Sequence, residues 1–358
     1  SQPIIDSSLL FLKAAQDQID QASNQISLAC ANKDVSQAPD QTNESQDSLS
    51  CQRFHAWKES SGTSDTYEGR GSSDQSGYET NSYNSSIGLS YQLNPRIMIG
   101  GIGQFSKLWT TSTGLSGHGT TELWNAAGFL NVALSKDTPN TLLSLMIGGG
   151  TASTDIKRTI DLPNTSTEKS SSNSTQVMGR IQLSHDFSTG DGPLSGLITP
   201  QLGISAIRYS QKSYQELTSS SSQSWAPGRN RFSESIEIEP SHSLRYSGAT
   251  YTSIPLDFNI KFSQPFQIGT VRFNPQISAG YSIDLSDTSR SLEAAFVNQP
   301  EHRFKVEGTD APHSWWDFGL NLDVHISDSF ALYANTRAEL AAGTKSSFNY
   351  GGGFRWKF

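Results

Sequence analysis

Residues 316–340 read WDFGLNLDVHISDSFALYANTRAEL, and residues 345–358 read KSSFNYGGGFRWKF. In the first stretch every second residue from Trp316 through Phe318, Leu320, Leu322 and Val324 to Ile326 is apolar, while Asp317, Asn321, Asp323 and His325 hold the other face. Successive side chains of a strand point to opposite sides, so this is one β-strand with an apolar and a polar face. Ser327-Asp328-Ser329 supplies the turn residues. Phe330, Leu332, Ala334, Ala338 and Leu340 then resume the apolar face, against Tyr333, Asn335, Arg337 and Glu339. The final stretch sets Phe348, Tyr350, Phe354, Trp356 and Phe358 against Asn349, Arg355 and Lys357.

Alternation alone also fits a soluble barrel with its apolar face inward. Charged groups at strand centres (Arg180, Asp257, Arg272, Asp323, Arg337) suit a hydrated lumen better than a crowded exterior. Trp109, Trp124, Tyr209, Trp315, Trp316 and Trp356 fall near strand ends, as in the aromatic girdles at a lipid–water interface. These features predict an all-β transmembrane antiparallel β-barrel of about twelve strands with an N-terminal α-helix, placed in the bacterial outer membrane. Composition agrees: the 358 residues are 34% hydrophobic and 17% charged, and no apolar run approaches the ~18 residues of a membrane helix. A net charge of -8 argues against nucleic acid as a partner.

Two domains follow: residues 1–50, a periplasmic heptad helix and linker, and residues 51–358, the barrel. Over 4–30, Ile5, Leu12, Ile19 and Ile26 recur every seventh position, with Ser8, Ala15, Ala22 and Ala29 three places after each. This is an a/d seam suited to helix packing. One reading makes Ile5, Leu12, Ala15, Ile19, Ala22, Ile26 and Ala29 the interface of a homo-oligomer. The other lays the helix on the periplasmic mouth or plugs the barrel with it. Residues 31–50, rich in Asn, Gln, Ser and Asp, read as a linker. The start SQPIIDSS lacks the pattern of a signal peptide, so numbering is expected to begin at the processed terminus of an exported chain. In that setting Cys30 and Cys51 read as a disulfide, the alternative being two unpaired thiols. No Cys/His cluster has metal spacing, and neither metal nor cofactor is expected.

Further strands carry Ile87, Leu89, Tyr91 and Leu93; Trp124, Leu130, Val132 and Leu134; Leu143, Leu145 and Ile147; Val177, Ile181, Leu183 and Phe187; and Ile254, Leu256, Phe258, Ile260 and Phe262 on their lipid faces. Two more lie around 198–206 and 271–285, and a weaker pair near 52–63 and 96–109, where Ile97, Ile99 and Ile102 do not share one face. Long connections are expected at 64–80, 110–120, 153–174, 210–243 and 286–311. Because long loops face outside and short turns the periplasm, an even strand number puts both termini in the periplasm.

Inward charges Arg180, Asp257, Lys261, Arg272, Asp323, Arg337, Glu339 and Arg355, with Asp186, Asp284 and Lys357, allow two readings: a water-filled passage or ion pairs that close a narrow lumen. The seven His residues are scattered, and no G-x-S-x-G motif exists. His185 beside a turn and His302 beside Glu301 are the nearest approaches to a catalytic group, so no enzymatic activity is expected.

The ending Tyr350, Phe354, Trp356, Phe358 resembles the β-signal read by the barrel-assembly machinery of Gram-negative bacteria, which that resemblance makes a partner. Residues 52–358 resemble the translocator barrel of autotransporters, on Thr199-Pro200, Asn274-Pro275 and the hairpin from Trp316 to Leu340 running into the Gly-rich last strand. An autotransporter carries a long passenger before its barrel, whereas about fifty residues precede it here, so passenger secretion is not expected. A heptad helix joined to such a barrel also resembles the oligomeric, lipid-trapping major porins of predatory bacteria. That resemblance implies a barrel joined into oligomers by its helix, organising membrane lipid and passing small solutes. A general diffusion porin and a translocator pore are the alternatives.

Overall fold

A computed structural model describes residues 2–34, 53–69, 77–113, 117–134, 140–160, 166–190, 195–219 and 243–358, with the helix side chains described through Gln21. The chain begins with α1 (Gln2–Asp34) and continues into twelve crossing strands. They are β1 (Phe54–Tyr67), β2 (Tyr78–Asn94), β3 (Ile97–Ser112), β4 (Gly117–Ala133), β5 (Thr141–Ile160), β6 (Ser166–His185), β7 (Leu197–Gln211), β8 (Pro255–Ser263, led in by Ala249–Ser253), β9 (Val271–Asp284), β10 (Ser314–His325), β11 (Phe330–Ala341) and β12 (Lys345–Lys357). Each pairs antiparallel with its neighbours, and β12 pairs with β1 to close the barrel. Closure leaves no unpaired backbone edge, which hydrocarbon demands.

The closing seam is pinned at the start of β1 and in its middle. Phe54 and Phe358 exchange backbone N–H···O bonds of 3.1 and 3.0 Å. Their rings stack at 5.7 Å, with Tyr91 and Trp356 beside them. Higher up, Tyr350 lies across Gly62, its partner in register. A Cβ at 62 would come within 2.7 Å of the Tyr350 ring, so only glycine lets the aromatic lie flat there.

The expected outward residues are outward: Ile87, Ile147, Val177, Leu202, Phe258, Leu320, Phe348 and Trp356 are all exposed. Several expectations are corrected. Tyr209 and Trp315 belong to no lipid-facing girdle, because both lie on the inward parity of their strands and are buried. Arg272 has the inward parity but sits at the short-turn mouth, exposed. Among the described residues, the connections expected at 64–80, 110–120 and 153–174 are largely strand. β5 and β6 run 20 residues each, about twice what a membrane crossing needs. Ser and Thr on both faces let the ladder continue into water, where a polar sheet needs no apolar side. At the long-loop end Tyr214–Gln215, Leu244–Tyr246, Ser291–Phe296 and Gln299–Glu307 form a small second sheet. It is tied to the barrel by Arg158, which donates to Glu216 at 2.6 and 3.1 Å. Burial, with the Glu216 carboxylate beside it, pushes the Tyr246 hydroxyl up to about 12.

Candidate functional site

The lumen holds α1. The helix starts cleanly because Pro3 lies in its first turn, where a missing N–H costs nothing. One side carries Ile4, Ile5, Phe11, Leu12, Ala15 and Ile19, all buried in a single cluster with inward side chains of β3 to β7. Those partners include Met98, Ile102, Leu108, Leu123, Phe129, Met146, Met178 and Ile207. Each large side chain buried this way contributes roughly 1.5–3 kcal/mol.

The opposite side of α1 is charged and meets the charged half of the wall. Asp17 accepts from Lys261 at 2.5 Å and from Arg337 at 2.8 Å. Asp20 accepts from Gln182 and Gln201 at 3.1 and 3.0 Å, with Lys261 3.7 Å away. Lys13 lies 3.4 Å from Asp317 and 3.5 Å from Glu339, over the Trp315 ring. Lys345 joins Glu339 at 3.0 Å to Asp6 at 3.5 Å, and the Tyr67 hydroxyl also reaches Asp6. Arg355 donates to Gln18 at 2.8 Å, and Gln18 donates to Glu59 at 3.0 Å. A charge removed from water is tolerated when paired, and breaking such a pair leaves an uncompensated ion. The helix is therefore held on one side by apolar packing and on the other by ion pairs.

Other inward charges brace the wall itself. Arg180 on β6 forks onto Asp257 on β8, both N–H···O distances being 2.7 Å. It crosses β7 directly above Gly203, where a Cβ would meet the guanidinium at 2.5 Å. Arg355 on β12 reaches across β11 to Asp323 on β10 through one guanidinium N–H. Of the two expectations for the lumen, ion pairs describe the described residues, but most run between helix and wall rather than across an empty bore. Cavities of about 60 Å³ and 20 Å³ remain beside the helix, room for isolated waters rather than a solute.

Of the two readings of the helical seam, this placement is that of the helix that plugs the barrel. Ile5, Leu12, Ala15 and Ile19 are buried against their own barrel wall, which is the placement of a plug. Ala22, Ile26 and Ala29 lie on the helix, with side chains outside the described residues. The proposed Cys30–Cys51 pair also falls outside them. The helix is not a periplasmic appendage either. Gln2 is bonded by Arg290, from the long connection between β9 and β10, whereas Asp20 meets Gln182 and Gln201 near the short turns. Its N-terminus thus points to the long-loop mouth and its C-terminal part to the short-turn mouth. Tyr350, Phe354, Trp356 and Phe358 line the outer face of β12, exposed. His185 bonds Thr141 at 2.7 Å, and His302 faces Glu301 at 3.5 Å in an exposed strand.

The residues that sequence reasoning missed are the inward apolar ones. Their signal was present at 97–102: Ile97 and Ile99 share the lipid face, and Ile102 breaks phase because it packs toward α1.

Fold and site together define an outer-membrane β-barrel closed by twelve strands and filled by its own N-terminal helix. The autotransporter β-domain family model matches residues 60–227 and 228–337, well over half of the chain, and the chain belongs to that family. No curated protein matches it by sequence. Among solved structures it is similar to the translocator domain of the autotransporter NalP from Neisseria meningitidis, at a TM-score of 0.64 and 13% identity over 95% of this chain and 98% of that one. It is also similar to the transport unit of the autotransporter AIDA-I from Escherichia coli (TM-score 0.57, 10% identity, 94% and 97% covered). The β-domain of the Bordetella autotransporter BrkA gives a TM-score of 0.54 and 12% identity over 86% and 100%. At these identities the likeness speaks for the fold.

Proposed function

We propose that this chain is a non-enzymatic translocator unit: a barrel that carries polypeptide joined to its N-terminus to the cell surface and is then sealed by α1. The observation that carries this is the direction of the helix. With long loops outside and short turns in the periplasm, a helix whose first residues sit at the long-loop mouth delivers anything upstream of it to the exterior. Both ends of the strand array, Phe54 and Phe358, lie at the periplasmic mouth. Exposed Tyr350, Phe354, Trp356 and Phe358 then offer the assembly machinery an unobstructed aromatic stripe. A diffusion porin is disfavoured because the bore is occupied. Self-association through the heptad seam would require the helix to leave the lumen, exposing the apolar wall of β3 to β7.

An epitope tag joined ahead of Ser1 should be accessible to antibody and protease on intact cells. A tag that is reached only after the outer membrane is permeabilised overturns this reading.

A further inference from the structure

On the outer wall between β4 and β8 the lipid face is dented. Gly128 and Gly179 flank Ile147 in register, and Ala206 follows Gly179 on β7. The row below is filled by Ile181 and Ile204. Small residues between large ones leave a furrow of about 700 Å³ open to the membrane. Its lining is mostly apolar, and Arg208 and Thr252 stand at its upper rim.

There stands Arg208, exposed on the lipid face, with Val177 of β6 and Thr252 of β8 as its register partners. It has no ion-pair partner among the described residues. From Ile198 to Arg208 the strand climbs roughly 25 Å at ~3.3 Å per residue and a tilt of about 40°, the height of the apolar band. Arg208 thus meets the membrane where hydrocarbon gives way to headgroups. A lone guanidinium at that depth is favourable only if an anion of the lipid completes it.

The same sector stays suited to a large headgroup above that level. Thr175, Asn173 and Ser171 face outward along β6. Beyond them Lys157 of β5 and Lys169 of β6 are directly opposed, with His118 of β4 next in the row. Like charges opposite one another destabilise a sheet. Asp155 is on the same face two residues below Lys157. Both lysines are exposed and lack a described partner.

We infer that this wall, from the furrow through Arg208 to Lys157 and Lys169, binds an acylated, multiply phosphorylated glycolipid of the outer leaflet. An acyl chain lies in the furrow, a phosphate meets Arg208, and a second anionic group, roughly 20 Å higher across a hydroxylated headgroup, meets the two lysines. The outer-leaflet assignment rests on the orientation proposed above.

The test uses the full folded chain in mild detergent and native mass spectrometry, with lipopolysaccharide, its enzymatically dephosphorylated form and phosphatidylglycerol as probes. The wild type should retain lipopolysaccharide at least tenfold better than either other lipid. Arg208→Gln should reduce retention about fivefold, and the Lys157→Gln/Lys169→Gln pair by a similar factor. Each variant is first shown folded by its shifted migration on an unboiled gel. Unchanged retention in folded Arg208→Gln overturns the site, and so does equal retention of the dephosphorylated lipid. Preference for phosphatidylglycerol overturns the glycolipid assignment. Labelling of Asn298→Cys, at the tip of the β9–β10 hairpin, on intact cells tests the orientation separately.

Discussion

A chain lacking residues 1–34 is expected to conduct in planar bilayers at least tenfold better than the intact chain. The helix occupies a bore of about 10 Å, its own diameter with side chains, and the cavities beside it among the described residues are water-sized. Without α1, Lys261 and Arg337 lose Asp17, and the inward Met98, Leu123, Phe129 and Met178 face water. The truncated barrel should therefore also be less heat-resistant, though its closed ladder is intact. Equal conductance from intact and truncated protein would mean that the helix does not seal the lumen.

How much of this was legible depends on which interaction sets the pattern. The β10–β12 region was read residue by residue, because lipid on one side and polar side chains on the other enforce strict alternation. Phe330 to Leu340 and Phe348 to Phe358 are placed as the alternation required. The wall of β3 to β7 was harder. There the lumen is apolar as well, since Ile102, Leu123, Met146 and Met178 pack on α1, and two apolar faces blur a period of two. The broken phase at Ile97, Ile99 and Ile102 was thus a record of the plug. The heptad on α1 was real but ambiguous. A stripe at i, i+3, i+7 asks only for an apolar surface, and a second helix and a barrel wall satisfy it equally. The deciding information lay on the other face of α1: Asp6, Lys13, Asp17 and Asp20 have partners of opposite charge or matched amides in the barrel wall. Complementarity between positions 162 or more residues apart is not a periodicity, so no local pattern announces it.

The second large effect is expected for Ile19→Asp. Ile19 is 1% exposed within the apolar cluster of helix and wall. The substitution forfeits roughly 1.5–3 kcal/mol of burial. It also sets a carboxylate against an apolar wall, which costs several kcal/mol more unless the helix moves. Asp17 and Asp20 lie close by on the same helix, and their cations Lys261 and Arg337 are on the far side, already engaged. The favourable response is for α1 to leave the lumen. Conductance should rise toward that of the truncated chain, while particle size in mild detergent stays unchanged. Leu10→Asp is the control, because Leu10 lines the cavity on the charged side of the helix, where a carboxylate faces Lys261 and Arg337 across water-sized space. It should leave the pore closed. If Ile19→Asp instead splits an oligomer into monomers and the conductance does not change, the apolar stripe of α1 joins barrels rather than sealing one.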